Sequence, residues 1–240
     1  MKKEYIPSVF TILNLVCGIV SIILVFHGSQ VLAAWFIIFA IFFDGIDGKI
    51  ARLSKATSDF GGELDSLSDI VSSGVAPGLL IVNALNSLGF FVSMTYTVIF
   101  ISAGAYRLAR FNVLQKGDRS IGYIGLPIPI SGFIIASFVL FSQTKIINFN
   151  HEYFLIFIVP VLSFLMVSKI IYKWPKIEFQ QGIFKSVLSI FKLILLFLIT
   201  IFPYELLFPV FSGYVAYGFI SWYLKKRSDE LVLKNNIHTE

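Results

Sequence analysis

The chain has 240 residues and a mass of 27.0 kDa; 57% of it is hydrophobic, 16% aromatic and only 14% charged, and the mean hydropathy is +0.84. Soluble domains carry about 25% charged residues, so this composition excludes an ordinary soluble domain or a disordered chain and points to lipid as the solvent. The single cysteine, Cys17, excludes an internal disulfide framework or a cysteine metal site, while the net charge of +5 and the pI near 9.2 acquire meaning only once the basic residues are placed along the chain.

A helix needs about 20 apolar residues to cross roughly 30 Å of hydrocarbon. On that measure the predicted fold is all-α: a polytopic membrane protein of about 8 transmembrane helices, near residues 8–26, 31–52, 69–87, 89–109, 128–143, 152–169, 184–202 and 205–224. The Lys2-Lys3 start resembles a signal peptide, but the apolar run is long, lacks a small-residue cleavage site and is followed by further spans, so it reads as a retained first helix. Pro127 and Pro129 mark the entry to the fifth span, and Pro203 and Pro209 are expected to bracket the turn into the last. The stretch 171–184, with Trp174 and Pro175, reads as an interfacial connector. Residues 1–228 form the predicted membrane domain and 229–240 a short, solvated, partly disordered tail.

An even number of spans puts both termini on one side. All but Lys145 and Lys192 of the 19 lysines and arginines then fall on that same side, and the positive-inside rule makes both termini cytoplasmic in a multi-pass cell-membrane protein. Lys192, inside the seventh span, reads as a snorkelling residue. The basic pI therefore reports topology, and no nucleic acid partner is expected. His27, His151 and His238 sit at span ends or in the tail, which disfavours a histidine metal site.

The scarce acids are concentrated. Five of the 14 lie between Asp44 and Asp65, with Asp69 just beyond. The apolar run from Val31 to Phe43 rises about 20 Å as a helix, so Asp44 and Asp47 arrive before the membrane edge, where a buried carboxylate costs about 2.5–3.5 kcal/mol on insertion scales. The bland alternative is a second span that ends early and leaves these aspartates as a solvated helix end. At helical spacing Asp44, Asp47, Gly48 and Ala51 share one face, and Asp65 with Asp69 forms an i, i+4 pair on the next helix. Four carboxylates in a partly dehydrated site repel unless cations hold them, and two divalent ions balance four charges. All-oxygen donors select hard ions such as Mg2+, Mn2+ or Ca2+. Gly45, Gly48, Gly61 and Gly62, with Ala51, leave room for a large ligand such as a diphosphate against the backbone, with close helix packing as the structural alternative.

Asp44, Asp47, Gly48, Ala51, Arg52, Gly61, Asp65 and Asp69, in this spacing, resemble the full signature of the CDP-alcohol phosphatidyltransferases. Thr11, Asn14 and Gly18 in the first span, the run Glu63 to Asp69 leading into Gly74-Val75-Ala76-Pro77, Arg107-Leu108-Ala109-Arg110-Phe111-Asn112 and Gly125-Leu126-Pro127-Ile128-Pro129 resemble its membrane-integral phosphatidylserine synthase branch. Ser8 follows Pro7 where the family often carries asparagine.

The resemblance implies two divalent cations, Mg2+ or Mn2+, held by Asp44, Asp47, Asp65 and Asp69, with Asp69 as general base. It implies a CDP cradle of Gly48, Ala51, Arg52 and Gly61, extended to Thr11 and Asn14, and substrates CDP-diacylglycerol and L-serine with CMP released. Arg107, Arg110 and Asn112 would bind the serine carboxylate or a phosphate, bidentate contact being within reach of a guanidinium; a topology anchor is the alternative for the two arginines. Membrane lipid and a second copy of the chain, as a homodimer, are the implied partners. Glycerol 3-phosphate or an inositol phosphate are alternative acceptors. A divalent-cation transporter is the rival outside the family, although it should distribute carboxylates through the membrane depth.

Overall fold

The computed structural model describes residues 5–54, 59–115, 123–144, 151–172 and 198–237. Helix α1 (Tyr5–Phe26) returns as α2 (Gln30–Ser54) through a tight turn at Gly28, whose φ of +75° suits glycine. The turn is closed by Gly28 N–H to Val25 O at 3.0 Å and Ser29 N–H to Leu24 O at 2.9 Å. Ala33, Ala34 and Ala40 are fully buried on α2. Their small side chains let α1 approach closely, and the Ser21 hydroxyl donates to Ala33 O at 2.9 Å across the interface.

The third span is one continuous helical path of three parts: α3 (Asp59–Asp69), a π-helical stretch (Ile70–Val75) and α4 (Ala76–Ala84). Pro77 has no N–H to give to the Ser73 carbonyl, and the helix widens there, with Ala76 N–H bonding back five residues to Val71 O. A Cβ on Gly132 would lie 2.7 Å from that same Ser73 oxygen, and one on Gly18 would lie 2.7 Å from Ser72 Cα. These two glycines are packing glycines, and they press the π stretch from both sides.

Helix α5 (Phe90–Gln115) follows a 3-10 turn (Asn86–Leu88). A two-residue strand β1 (Tyr123–Ile124) leads into α6 (Ile128–Ser142), which enters after Pro127 as expected. Helix α6 is buried on nearly every side, which is what an all-round apolar sequence requires; it packs against α2, α4, the π stretch and the last helix. Helix α7 (His151–Val167) ends at β2 (Ile171–Tyr172), antiparallel to β1 with Tyr123 opposite Tyr172. Helix α8 (Pro203–Ile237) closes the described chain.

Five helical stretches, Ser8–Phe26, Gln30–Ile50, Phe60–Ala84, Phe90–Leu114 and Pro203–Leu224, are long and apolar enough to cross a membrane, and α6 and α7 are shorter apolar helices. The chain is an all-α multi-pass membrane protein, with the β1–β2 ladder as a small addition. Several boundaries differ from expectation. The third span begins near residue 60 and takes in Asp65 and Asp69, and Pro209 lies inside α8, where it does not bracket a turn. Helix α8 runs on to Ile237 where a partly disordered tail was expected. Most of the predicted seventh span, with Lys192, and most of the 171–184 connector lie outside the described residues.

Candidate active site

Helix α2 carries Asp44 and Asp47, and α3 carries Asp65 and Asp69. Each pair sits on one face because three or four residues make about one helical turn. Folding brings the two faces together. Carboxylate oxygens of Asp44, Asp47 and Asp65 lie within 4.8 Å of one another, and Asp69 lies one turn beyond Asp65 on α3. Asp47 and Asp69 are only 5% and 6% exposed, so water screens their charge poorly. Carboxylate oxygens gathered this closely can hold a hard cation between them. Asp65 Oδ1 is buried and has no hydrogen-bond partner among the described residues. An orphaned carboxylate oxygen among three others is a donor set that fits a divalent cation.

Around the carboxylates the small residues divide into two kinds. A Cβ placed on Gly45, Gly48 or Gly62 would meet nothing within 4 Å, so none of these three is required for helix packing, in contrast to Gly18 and Gly132. The space they leave lies beside Asp44, Asp47 and Asp65 in the chain.

The family model of the CDP-alcohol phosphatidyltransferases matches residues 4–207. The chain belongs to this family. A Helicobacter pylori protein named CDP-diacylglycerol–serine O-phosphatidyltransferase is 34% identical over 221 residues, covering 90% of each chain. A Bacillus subtilis protein of the same name is 36% identical, over 72% of this chain and 90% of its own. An archaetidylserine synthase from Methanothermobacter thermautotrophicus is 34% identical over 72% and 70%.

In this CDP-alcohol phosphatidyltransferase the first helix meets the aspartates directly. The Thr11 hydroxyl donates to Asp47 Oδ2 at 2.9 Å, and Asn14 Nδ2 donates to Asp69 Oδ1 at 3.2 Å. A carboxylate can only accept, which fixes the Asn14 amide with its nitrogen toward Asp69. The residues expected to touch the nucleotide from α1 therefore contact the carboxylates, a pairing across 36 and 55 residues of sequence that no local pattern announces.

The other expected site residues separate. Arg107 is 4% exposed and lies 4.9 Å over the Phe111 ring. Asn112 Nδ2 donates to Ser66 Oγ at 3.0 Å and so ties α5 to α3 between Asp65 and Asp69. Ser66 is a contact that sequence reasoning missed; its position between the aspartates was the only available signal. Arg110 points elsewhere. Its Nη1 donates to Val167 O at 2.7 Å, and Nη2 donates to Ile124 O, Met166 O and Ser168 O at 2.9, 3.2 and 3.0 Å. These carbonyls occupy both terminal nitrogens of the residue that was expected to serve a substrate anion. Gly61 lies on α3, half-buried, while the backbone of Ala51 and Arg52 continues α2 and their side chains lie outside the described residues.

Proposed function

We propose that the chain transfers the phosphatidyl group of CDP-diacylglycerol to L-serine, giving phosphatidylserine and CMP, at the cytoplasmic face of the cell membrane. The observation that carries this reading is the convergence of Asp44, Asp47 and Asp65 on one point, with Asp69 one turn beyond Asp65 on α3 and open glycines in the same helices. The choice of serine is supported by the names of the relatives. The orientation, with both termini cytoplasmic, is supported by the one-sided distribution of lysine and arginine in the sequence.

Asp44, Asp47, Asp65 and Asp69 would hold two divalent cations, Mg2+ or Mn2+. Such ions, when bound, offset the repulsion of the four carboxylates and polarise the phosphoryl oxygens of the diphosphate. Asp69 takes the proton from the serine hydroxyl, an aliphatic alcohol too weakly acidic to ionise alone. The serine oxygen then forms its bond to the lipid-bearing phosphorus as the bond to CMP breaks, and CMP leaves with the electron pair. Asn14 donates to Oδ1 of Asp69 and so orients its carboxylate. Thr11 holds Asp47. Gly48, Ala51, Arg52 and Gly61 form the CDP cradle, and Arg107 supplies the cation for an anionic substrate group. The acyl chains remain in the bilayer, which accounts for a site at the end of membrane-crossing helices. Assembly as a homodimer belongs to the same reading and rests on the resemblance.

Ion transport is disfavoured by the placement of the remaining acids: among the described residues, Asp59 and Glu63 lie near the start of α3, Glu152 and Glu205 in the first turns of α7 and α8, and Asp229 and Glu230 toward the end of α8. The deciding assay offers the purified protein CDP-diacylglycerol and Mn2+ or Mg2+ with serine, glycerol 3-phosphate or inositol 1-phosphate separately and measures CMP release. Serine-dependent release is expected. Release with another acceptor and none with serine would overturn the assignment.

A further inference from the structure

Helix α5 contributes three polar residues within six positions, and the structure gives each a different neighbour. By 100° per residue, Arg110 and Asn112 point about 200° apart, to opposite sides of the helix, with Arg107 between them. Asn112 is bonded to Ser66 on α3. Arg110 is bonded to carbonyl oxygens of Met166, Val167 and Ser168 at the end of α7 and to Ile124 of β1. The last carbonyls of a helix have no intrahelical partners and carry the negative end of its dipole, so a guanidinium is a well-matched cap.

The same knot includes Gly125. Its N–H bonds Ile170 O at 2.8 Å, its φ is +79°, and a Cβ there would overlap the Met166 carbonyl and come within 2.6 Å of Arg110 Nη2. Leu126 N–H bonds Leu165 O at 3.0 Å. The chain thus passes between α7 and the guanidinium with no room for a side chain.

We propose that Arg110 is a positioning residue: it locks the end of α5 to the end of α7, and through that lock sets the part of α5 that bonds α3 through Asn112 and Ser66, without binding substrate itself. A substrate carboxylate or phosphate on Arg110 would have to displace carbonyls already bonded to both terminal nitrogens. The functional part of this inference rests on the proposed activity; the lock itself does not.

The test uses full-length protein with Arg110→Gln, Arg110→Lys and Gly125→Ala. Spin labels at positions 114 and 164, exposed sites on α5 and α7, in a Cys17→Ser background, report the α5–α7 distance whether or not the enzyme turns over. A narrow distance distribution is expected in the parent and in Arg110→Lys, because an ammonium also donates three hydrogen bonds to a helix end. A broadened one is expected in Arg110→Gln and Gly125→Ala. In the CMP-release assay Arg110→Gln should lower kcat about tenfold or more with KM for serine shifted by less than about threefold, and Arg110→Lys should recover most of it. An unchanged distance distribution in Arg110→Gln would overturn the lock. A KM for serine raised about tenfold at retained kcat would overturn the positioning role and make Arg110 a substrate contact. Absence of turnover in the parent with serine would overturn the proposed activity alone, since the distance measurement still reads the lock.

Discussion

Replacing Thr11 by valine distinguishes the two roles that its position suggests. The side chain keeps its shape and loses only the hydroxyl that donates to Asp47 Oδ2 at 2.9 Å. Both residues are nearly inaccessible, at 4% and 5% exposure, so water cannot replace the lost donor. A hydrogen bond to a charged group contributes about 1.5–3 kcal/mol, and about 1.4 kcal/mol is tenfold in an equilibrium constant. Loss of such an outer partner weakens metal binding about 10–100-fold. In Thr11→Val the Mn2+ concentration for half-maximal CMP release should therefore rise about tenfold or more. Calorimetric Mn2+ binding should weaken in parallel, and KM for CDP-diacylglycerol at saturating Mn2+ should stay within about threefold of the parent. An unchanged Mn2+ dependence with a raised KM for CDP-diacylglycerol would refute this reasoning and return Thr11 to the nucleotide cradle implied by its motif position.

Three further outcomes are expected. Gly18→Ala places a methyl 2.7 Å from Ser72 Cα; overpacking of this kind costs about 1–3 kcal/mol, so thermal unfolding in detergent should shift down by several degrees and turnover should fall, because the displaced π stretch begins one residue after Asp69. Gly48→Ala meets no atom within 4 Å and should leave the unfolding temperature unchanged while raising KM for CDP-diacylglycerol; a destabilised protein would instead make Gly48 a packing residue. Asp69→Asn should abolish CMP release and leave CDP-diacylglycerol binding largely intact by equilibrium binding, and loss of binding would show that Asp69 is chiefly a ligand.

The spans and the aspartate pairs were readable because both follow local periodicity: apolar length reports a membrane crossing, and i, i+3 or i, i+4 spacing reports a helical face. The π stretch was not readable. It arises where Pro77 withholds an N–H from Ser73 and where Gly18 and Gly132 close in from α1 and α6, a coincidence of three segments. The early start of α3 was missed for a related reason. Residues 59–69 are polar on average, and their helix is supported by packing on α1 and the π stretch, with little apolar signal of their own.

Composition and motif spacing alone determined that the chain is a multi-pass membrane protein and that its aspartates fall in pairs on helical faces, since each of these is a property of residue type and short-range order. Tertiary structure decided what the remaining polar residues do. Thr11 and Asn14 turn to the carboxylates, Asn112 to Ser66, and Arg110 to the end of α7. These choices depend on which unsatisfied donor or acceptor each side chain meets across distant segments, and a buried polar group takes the partner that folding places beside it.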